Sequence, residues 1–87
     1  MNEELTLRVT SLANNQFVIR FADKDVFQSY RSIIAQRFHD GRIILDRGKW
    51  DYSKTTSKWR NRFLDMSTKE IKAGIKNGSI ELKDLNL

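Results

Sequence analysis

The stretch Asp23-Lys24-Asp25-Val26-Phe27-Gln28-Ser29-Tyr30-Arg31-Ser32-Ile33-Ile34-Ala35-Gln36-Arg37-Phe38, continued by His39-Asp40-Gly41-Arg42-Ile43-Ile44-Leu45, decides the fold. At helical spacing, Val26, Phe27, Tyr30, Ile33, Ile34 and Phe38 share one side, and Asp23 or Asp25 offers an N-terminal cap. As extended chain, the same residues give a segment around Val26-Phe27, a turn at Ser29, and a strand ending at Phe38. Asp40-Gly41 favours the extended reading. This pair suits a two-residue type I′ hairpin turn, and a tight hairpin needs a strand on each side.

Upstream, Leu5, Leu7 and Val9 alternate with Thr6, Arg8 and Thr10, the period of a half-buried strand. Asn14-Asn15 is a turn signal, because asparagine tolerates left-handed backbone angles. Phe17, Ile19 and Phe21 alternate with Val18 and Arg20. These patterns predict strands over about residues 5–11, 16–22, 33–39 and 42–47.

Downstream the period changes. Thr56, Trp59, Phe63 and Met66, with Leu64 beside them, predict an amphipathic helix over about residues 55–66, capped by a hydroxyl between Ser53 and Thr56. Ser67-Thr68-Lys69-Glu70 is a capping box that starts a second helix over about residues 68–76, with Ile71 and Ile75 on its apolar side. Asn77-Gly78 stops that helix. Ile80 and Leu82 then suggest a short strand over about residues 79–83 before Leu85-Asn86-Leu87. The expected fold is α+β: one domain with a small antiparallel sheet of about four strands, followed by two short helices packed on it.

At 87 residues the chain makes one domain with a small core, so that a homodimer would be a natural way to bury more surface. It has no cysteine, which removes disulfides, thiolate metal sites and cysteine nucleophiles. Its one histidine, His39, leaves no zinc site of the Cys/His kind. No apolar run approaches the roughly 20 residues of a membrane span, and Met1-Asn2-Glu3-Glu4 is unlike a signal peptide. A cytoplasmic protein with no membrane partner is expected, in the host cytoplasm if the chain is phage-encoded.

Catalysis finds little to work with. The carboxylates are scattered, apart from Glu3-Glu4 and an Asp23/Asp25 pair expected to solvate and cap. His39 sits beside a turn, and no serine has a base nearby. We expect a non-enzyme without a cofactor or a metal.

The charge is concentrated. Arg47, Lys49, Lys54, Lys58, Arg60 and Arg62 face one acid, Asp51, in residues 47–62, a local +5 that equals the net charge of the chain. Lys54, Lys58 and Arg62 recur at i, i+4 and i+8, a basic ridge opposite the Trp59/Phe63 side. Such a ridge can neutralise phosphates, with Arg47 and Lys49 added by the preceding turn. Trp50 and Tyr52 are either base-stacking platforms or core, and Trp59 reads as core. Arg60 falls by angle inside the apolar arc, so its guanidinium must stack on an aromatic, pair with an acid or reach out past the rim. Lys69, Lys72 and Lys76 give the second helix a basic face of its own.

Trp50-Asp51-Tyr52-Ser53-Lys54-Thr55-Thr56-Ser57-Lys58, followed by Phe63-Leu64 and preceded by Ser29-Tyr30 and Asp40-Gly41, resembles small uncharacterised proteins of phages and prophages of Gram-positive bacteria. Trp59 departs from that pattern, where a smaller aromatic or a histidine is usual. The resemblance spans about residues 27–64 and implies a setting: accessory proteins that bind nucleic acid or disable a host machine. The leading expectation is a binding protein whose basic helix face grips nucleic acid or a host nucleic-acid-handling protein. The alternatives are an inhibitor of host defence, such as an anti-CRISPR protein docked on a Cas nuclease, and a virion or assembly component.

Overall fold

A computed structural model describes residues 8–86. Its elements are β1 (Arg8–Ala13), β2 (Gln16–Arg20), β3 (Lys24–Ser29), β4 (Ser32–Phe38), β5 (Ile43–Asp46), α1 (Lys54–Leu64), α2 (Thr68–Asn77) and β6 (Ile80–Lys83). The six strands form one sheet in sequence order. Every neighbouring pair is antiparallel except β5 and β6, which run parallel because α1 and α2 carry the chain back between them.

The α+β class is as expected, but the sheet is larger than four antiparallel strands. The deciding stretch contributes two strands, β3 and β4, and the 80–83 segment joins as a parallel edge. The first expected strand is displaced: its residues 5–7 lie outside the described residues, and β1 continues to Ala13. The second is shorter, ending at Arg20.

The helical spacing across residues 26–38 is a coincidence of two strands joined at Tyr30-Arg31. Tyr30 takes φ +56°, which no continuous right-handed helix allows, and its amide donates to the Asn15 carbonyl at 2.7 Å. The register passes from Phe27↔Ala35 to Gln28↔Ile33, which leaves Ile34 as the extra residue of a bulge. The bulge lets Ile34 and Ala35 both be fully buried although they are consecutive. Asp40-Gly41 does mark a hairpin, but not a type I′ turn. Only Gly41 has positive φ, +101°. Phe38 N–H donates to Arg42 O at 2.8 Å and Gly41 N–H to Phe38 O at 3.0 Å, so the loop has three residues with Gly41 at the bulge. Asp40 keeps an ordinary backbone and spends its carboxylate on Arg42, accepting from its N–H and its Nε.

The helices cover one face of the sheet. Phe27, Ala35 and Leu45 lie in register on that face and meet Phe63, Leu64, Ile71 and Ile80 in a single cluster. The Phe27 and Phe63 rings stack with centroids 5.8 Å apart. Ser53 caps α1, its Oγ accepting from Thr56 N–H at 3.1 Å. The Ser67/Glu70 capping box forms with both bonds, and Gly78 ends α2 at φ +86°. At the chain end, the Asn86 side chain accepts from Ile33 N–H at 2.7 Å and donates to Ile33 O at 2.8 Å, completing β4 beyond the reach of β5.

Candidate nucleic-acid interface

The face that α1 buries is rotated from the expected one. Thr56, Arg60, Phe63 and Leu64 are the buried residues, while Trp59 and Met66 lie partly buried at the margin of the core. A helix turned toward Trp59 would swing Arg60 away from the partners that hold it. Arg60 is fully buried and is the largest fully buried side chain among the described residues. Its Nη1 donates to Trp50 O at 2.5 Å, Asp51 Oδ1 at 3.1 Å and Ser57 Oγ at 3.3 Å. Its Nη2 donates to Asn61 Oδ1 at 2.9 Å and Thr68 Oγ1 at 3.0 Å, and its Nε to Asn61 Oδ1 at 3.2 Å. The guanidinium carbon stands 5.1 Å from the Trp50 ring centroid. Two of the options read for Arg60 hold together, an acid partner and an aromatic face, while its burial excludes a way past the rim: it is a tie between the 50–51 turn, α1 and the start of α2.

That tie explains much of the motif. Asp51 accepts from Ser57 Oγ at 2.8 Å and from Arg60, and the hydroxyl first, then the guanidinium, hold its carboxyl below the ordinary value of 3.8. Thr56 is fully buried, and its hydroxyl shares a 2.8 Å hydrogen bond with that of Ser29. The Ser-Tyr step of β3 and the Thr-Thr step of α1 therefore meet as a buried peg, which docks the helix on the sheet. Neither hydroxyl is left unpaired in the interior, where the loss of a partner costs about 1–3 kcal/mol.

The basic residues divide accordingly. Lys54, Lys58 and Arg62 are exposed along α1 and make no ion pair among the described residues. Lys58 Nζ and the Arg62 guanidinium lie 5.2 and 5.0 Å from the Trp59 ring centroid. Lys49 is exposed, its ammonium 5.3 Å from the ring of Tyr52, itself 46% exposed. Trp50 packs against the core beneath Arg60. Arg47 is exposed and donates to Leu82 O at 3.2 Å and Asp84 Oδ1 at 3.5 Å. Lys49, Lys54, Lys58 and Arg62 are thus exposed with Tyr52 at the start of the ridge, Arg47 is exposed but turned to β6 and Asp84, and Trp50 and Arg60 pack inward.

A second basic group lies outside the motif. Asp25, expected to be a solvated cap, is buried on the helix-covered face. It pairs with Arg20 at 2.9 Å and lies 3.7 Å from Arg37 Nη2 and 3.6 Å from His39 Nε2. Arg37 also donates to Phe63 O at 2.8 Å and stacks 5.0 Å over the Phe63 ring. Arg20 follows Val18 by two and Arg37 follows Ala35 by two, so strand parity puts them on the helix face. That signal is usable only once β3 and β4 are known to be strands. Among the described residues, no three His, Cys, Asp or Glu gather where a metal ion could be held. No described helix is long and apolar enough to cross a membrane.

No curated protein and no solved structure matches the chain. One family model does, over residues 2–79, and with nearly the whole chain inside the match this protein belongs to a family of unknown function, DUF8033.

Proposed function

We infer that this protein is a non-enzymatic binding protein whose α1 basic face holds the phosphate backbone of a nucleic acid. The observation that carries the reading is the exposure of Lys54, Lys58 and Arg62 on one side of α1 without an ion-pair partner among the described residues. The one acid of the segment, Asp51, is turned inward onto Arg60 and Ser57. Cations left unpaired in this way exchange counterions for phosphates, which gives affinity that falls with salt. The hydroxyl of exposed Thr55 stands on the same helix start and offers an additional phosphate contact. The resemblance of the residue 50–64 motif to small phage and prophage proteins supports an accessory role during infection, acting on nucleic acid directly.

The test is fluorescence anisotropy with labelled DNA and RNA oligonucleotides at low salt. The triple variant Lys54→Glu, Lys58→Glu, Arg62→Glu should lose binding while keeping the thermal unfolding profile of the parent. Unchanged binding by a folded triple variant would sink the proposal.

A further inference from the structure

Between β1–β2 and α1 lies a cleft of about 370 Å³, lined by Leu12, Val18, Arg20, Arg37, Trp59, Arg62 and Phe63. Its walls combine an apolar base with a cationic rim. Val18 and Phe63 are buried and form an apolar base, with partly buried Leu12 and Trp59 beside them. Three arginines line it and no carboxylate does. The nearest acid, Asp25, sits behind Arg20 and Arg37 and offsets one charge of three. Arg20 and Arg37 remain 48% and 37% exposed despite that pairing, so both keep donors free for a ligand. Arg62 lies against Trp59 and belongs to the cleft and to the α1 ridge alike.

A ligand that fits these walls has a flat apolar body and a dianionic or anionic edge. The volume lies near the lower end of the roughly 300–1,000 Å³ of small-molecule sites, room for one residue of a polymer and not for a duplex. Stacked bases in a duplex cannot present a face to Trp59, whereas an unpaired base can. We propose that this cleft receives one unpaired nucleotide of a single-stranded nucleic acid, its base against Trp59 and Leu12 and its phosphate on Arg20 and Arg62. The proposal rests on the nucleic-acid reading of α1 and adds to it a preference for single strands. The ridge tracks the backbone, and the cleft holds a base.

The experiment compares an eight-nucleotide single strand, the same strand with abasic sites throughout, and a duplex of equal length, by anisotropy at low salt. Trp59→Leu keeps an apolar wall and removes the stacking ring. Arg20→Gln removes a cleft donor that lies on β2, away from the ridge. Trp59→Leu should weaken the normal single strand about 5- to 150-fold, the range of one lost base stack. Arg20→Gln, which removes one phosphate contact, should weaken it as well and make its salt slope shallower by about 0.7. Affinity for the duplex should change less than about 2-fold in both variants, and affinity for the abasic strand less than about 2-fold in Trp59→Leu alone. Thermal unfolding of each variant checks folding, and Arg20→Gln decides the matter if Trp59→Leu does not fold. If either folded variant binds the single strand as the parent does, or weakens strand and duplex equally, the cleft assignment is wrong while the ridge reading stands. If the parent protein binds none of the three, both are wrong.

Discussion

Replacement of Arg60 by methionine separates fold from function most sharply. Methionine matches much of the arginine stem but supplies no donor. Trp50 O and Asn61 Oδ1 then lose the only side-chain donor the structure gives them, whereas Thr68 Oγ1 still accepts from Asn61 Nδ2 at 3.0 Å. Each of these part-buried acceptors costs about 1–3 kcal/mol when left unpaired. The stacking of the guanidinium on Trp50 adds about 0.5–2 kcal/mol. Against this, the variant no longer desolvates a charge, a relief of up to several kcal/mol. Asp51 is 39% exposed and can turn to water. The balance is a loss of about 3 kcal/mol, near the low end for breaking a buried pair. A domain of this size has roughly 4–13 kcal/mol in all. In urea titration followed by tryptophan fluorescence, with a slope of about 1 kcal/mol/M, the midpoint should fall by about 3 M. Asp51→Asn should cost about 1 kcal/mol or less, because Arg60 keeps its other acceptors. Because Arg60 is fully buried, a folded Arg60→Met sample in the cold should bind nucleic acid within about 2-fold of the parent. An Arg60→Met midpoint within about 0.5 M of the parent, or an Asp51→Asn loss as large as the Arg60→Met loss, would refute the reasoning.

Three other outcomes follow from the packing. Gly74→Ala should destabilise by about 1–3 kcal/mol in the same titration, although alanine is the better helix former, since the new Cβ would stand 2.7 and 2.8 Å from Ile80 Cδ1 and Cγ1. Gln16 is fully buried with neither side-chain amide atom bonded among the described residues. Gln16→Met should therefore raise the urea midpoint, by an amount on the order of 1–2 kcal/mol, and a loss of stability would show that the amide is satisfied after all. The depressed carboxyl of Asp51 predicts an acid-side loss. A group whose folded pKa lies below its unfolded 3.8 stabilises the protein above that value, and the contribution fades as pH drops through the folded one. Urea midpoints between pH 5 and pH 2 should thus fall less steeply in Asp51→Asn than in the parent.

Most of the fold could be read from local chemistry. The capping box at Ser67/Glu70, the Ser53 cap and the Gly78 stop act within a few residues, and each formed where the sequence placed it. What could not be read depended on pairing across the sheet. Ile33-Ile34-Ala35 breaks period two because Ile34 is a bulge residue, and the bulge exists only in register with Phe27 and Gln28. The run Asp25-Val26-Phe27 is buried throughout, Val26 on the face away from the helices and Phe27 beneath them, so it shows no alternation. The same limit applied to the site. Lys54, Lys58 and Arg62 follow from helix spacing alone. The inward turn of Arg60 was announced by its angle, although its partners were not. Arg20 and Arg37 reach the helix face through strand parity across three paired strands, a relation that no short stretch contains.

The salt dependence of binding tests the central claim most directly. For a single strand, the slope of log affinity against log salt is about −0.7 per phosphate neutralised. Lys54, Lys58 and Arg62 together therefore predict a slope of about −2, steeper if Lys49 and the cleft arginines engage. Lys58→Ala should make it shallower by about 0.7. A parent protein whose affinity does not change between low and moderate salt, or a Lys58→Ala variant with the parent's slope, would contradict the account.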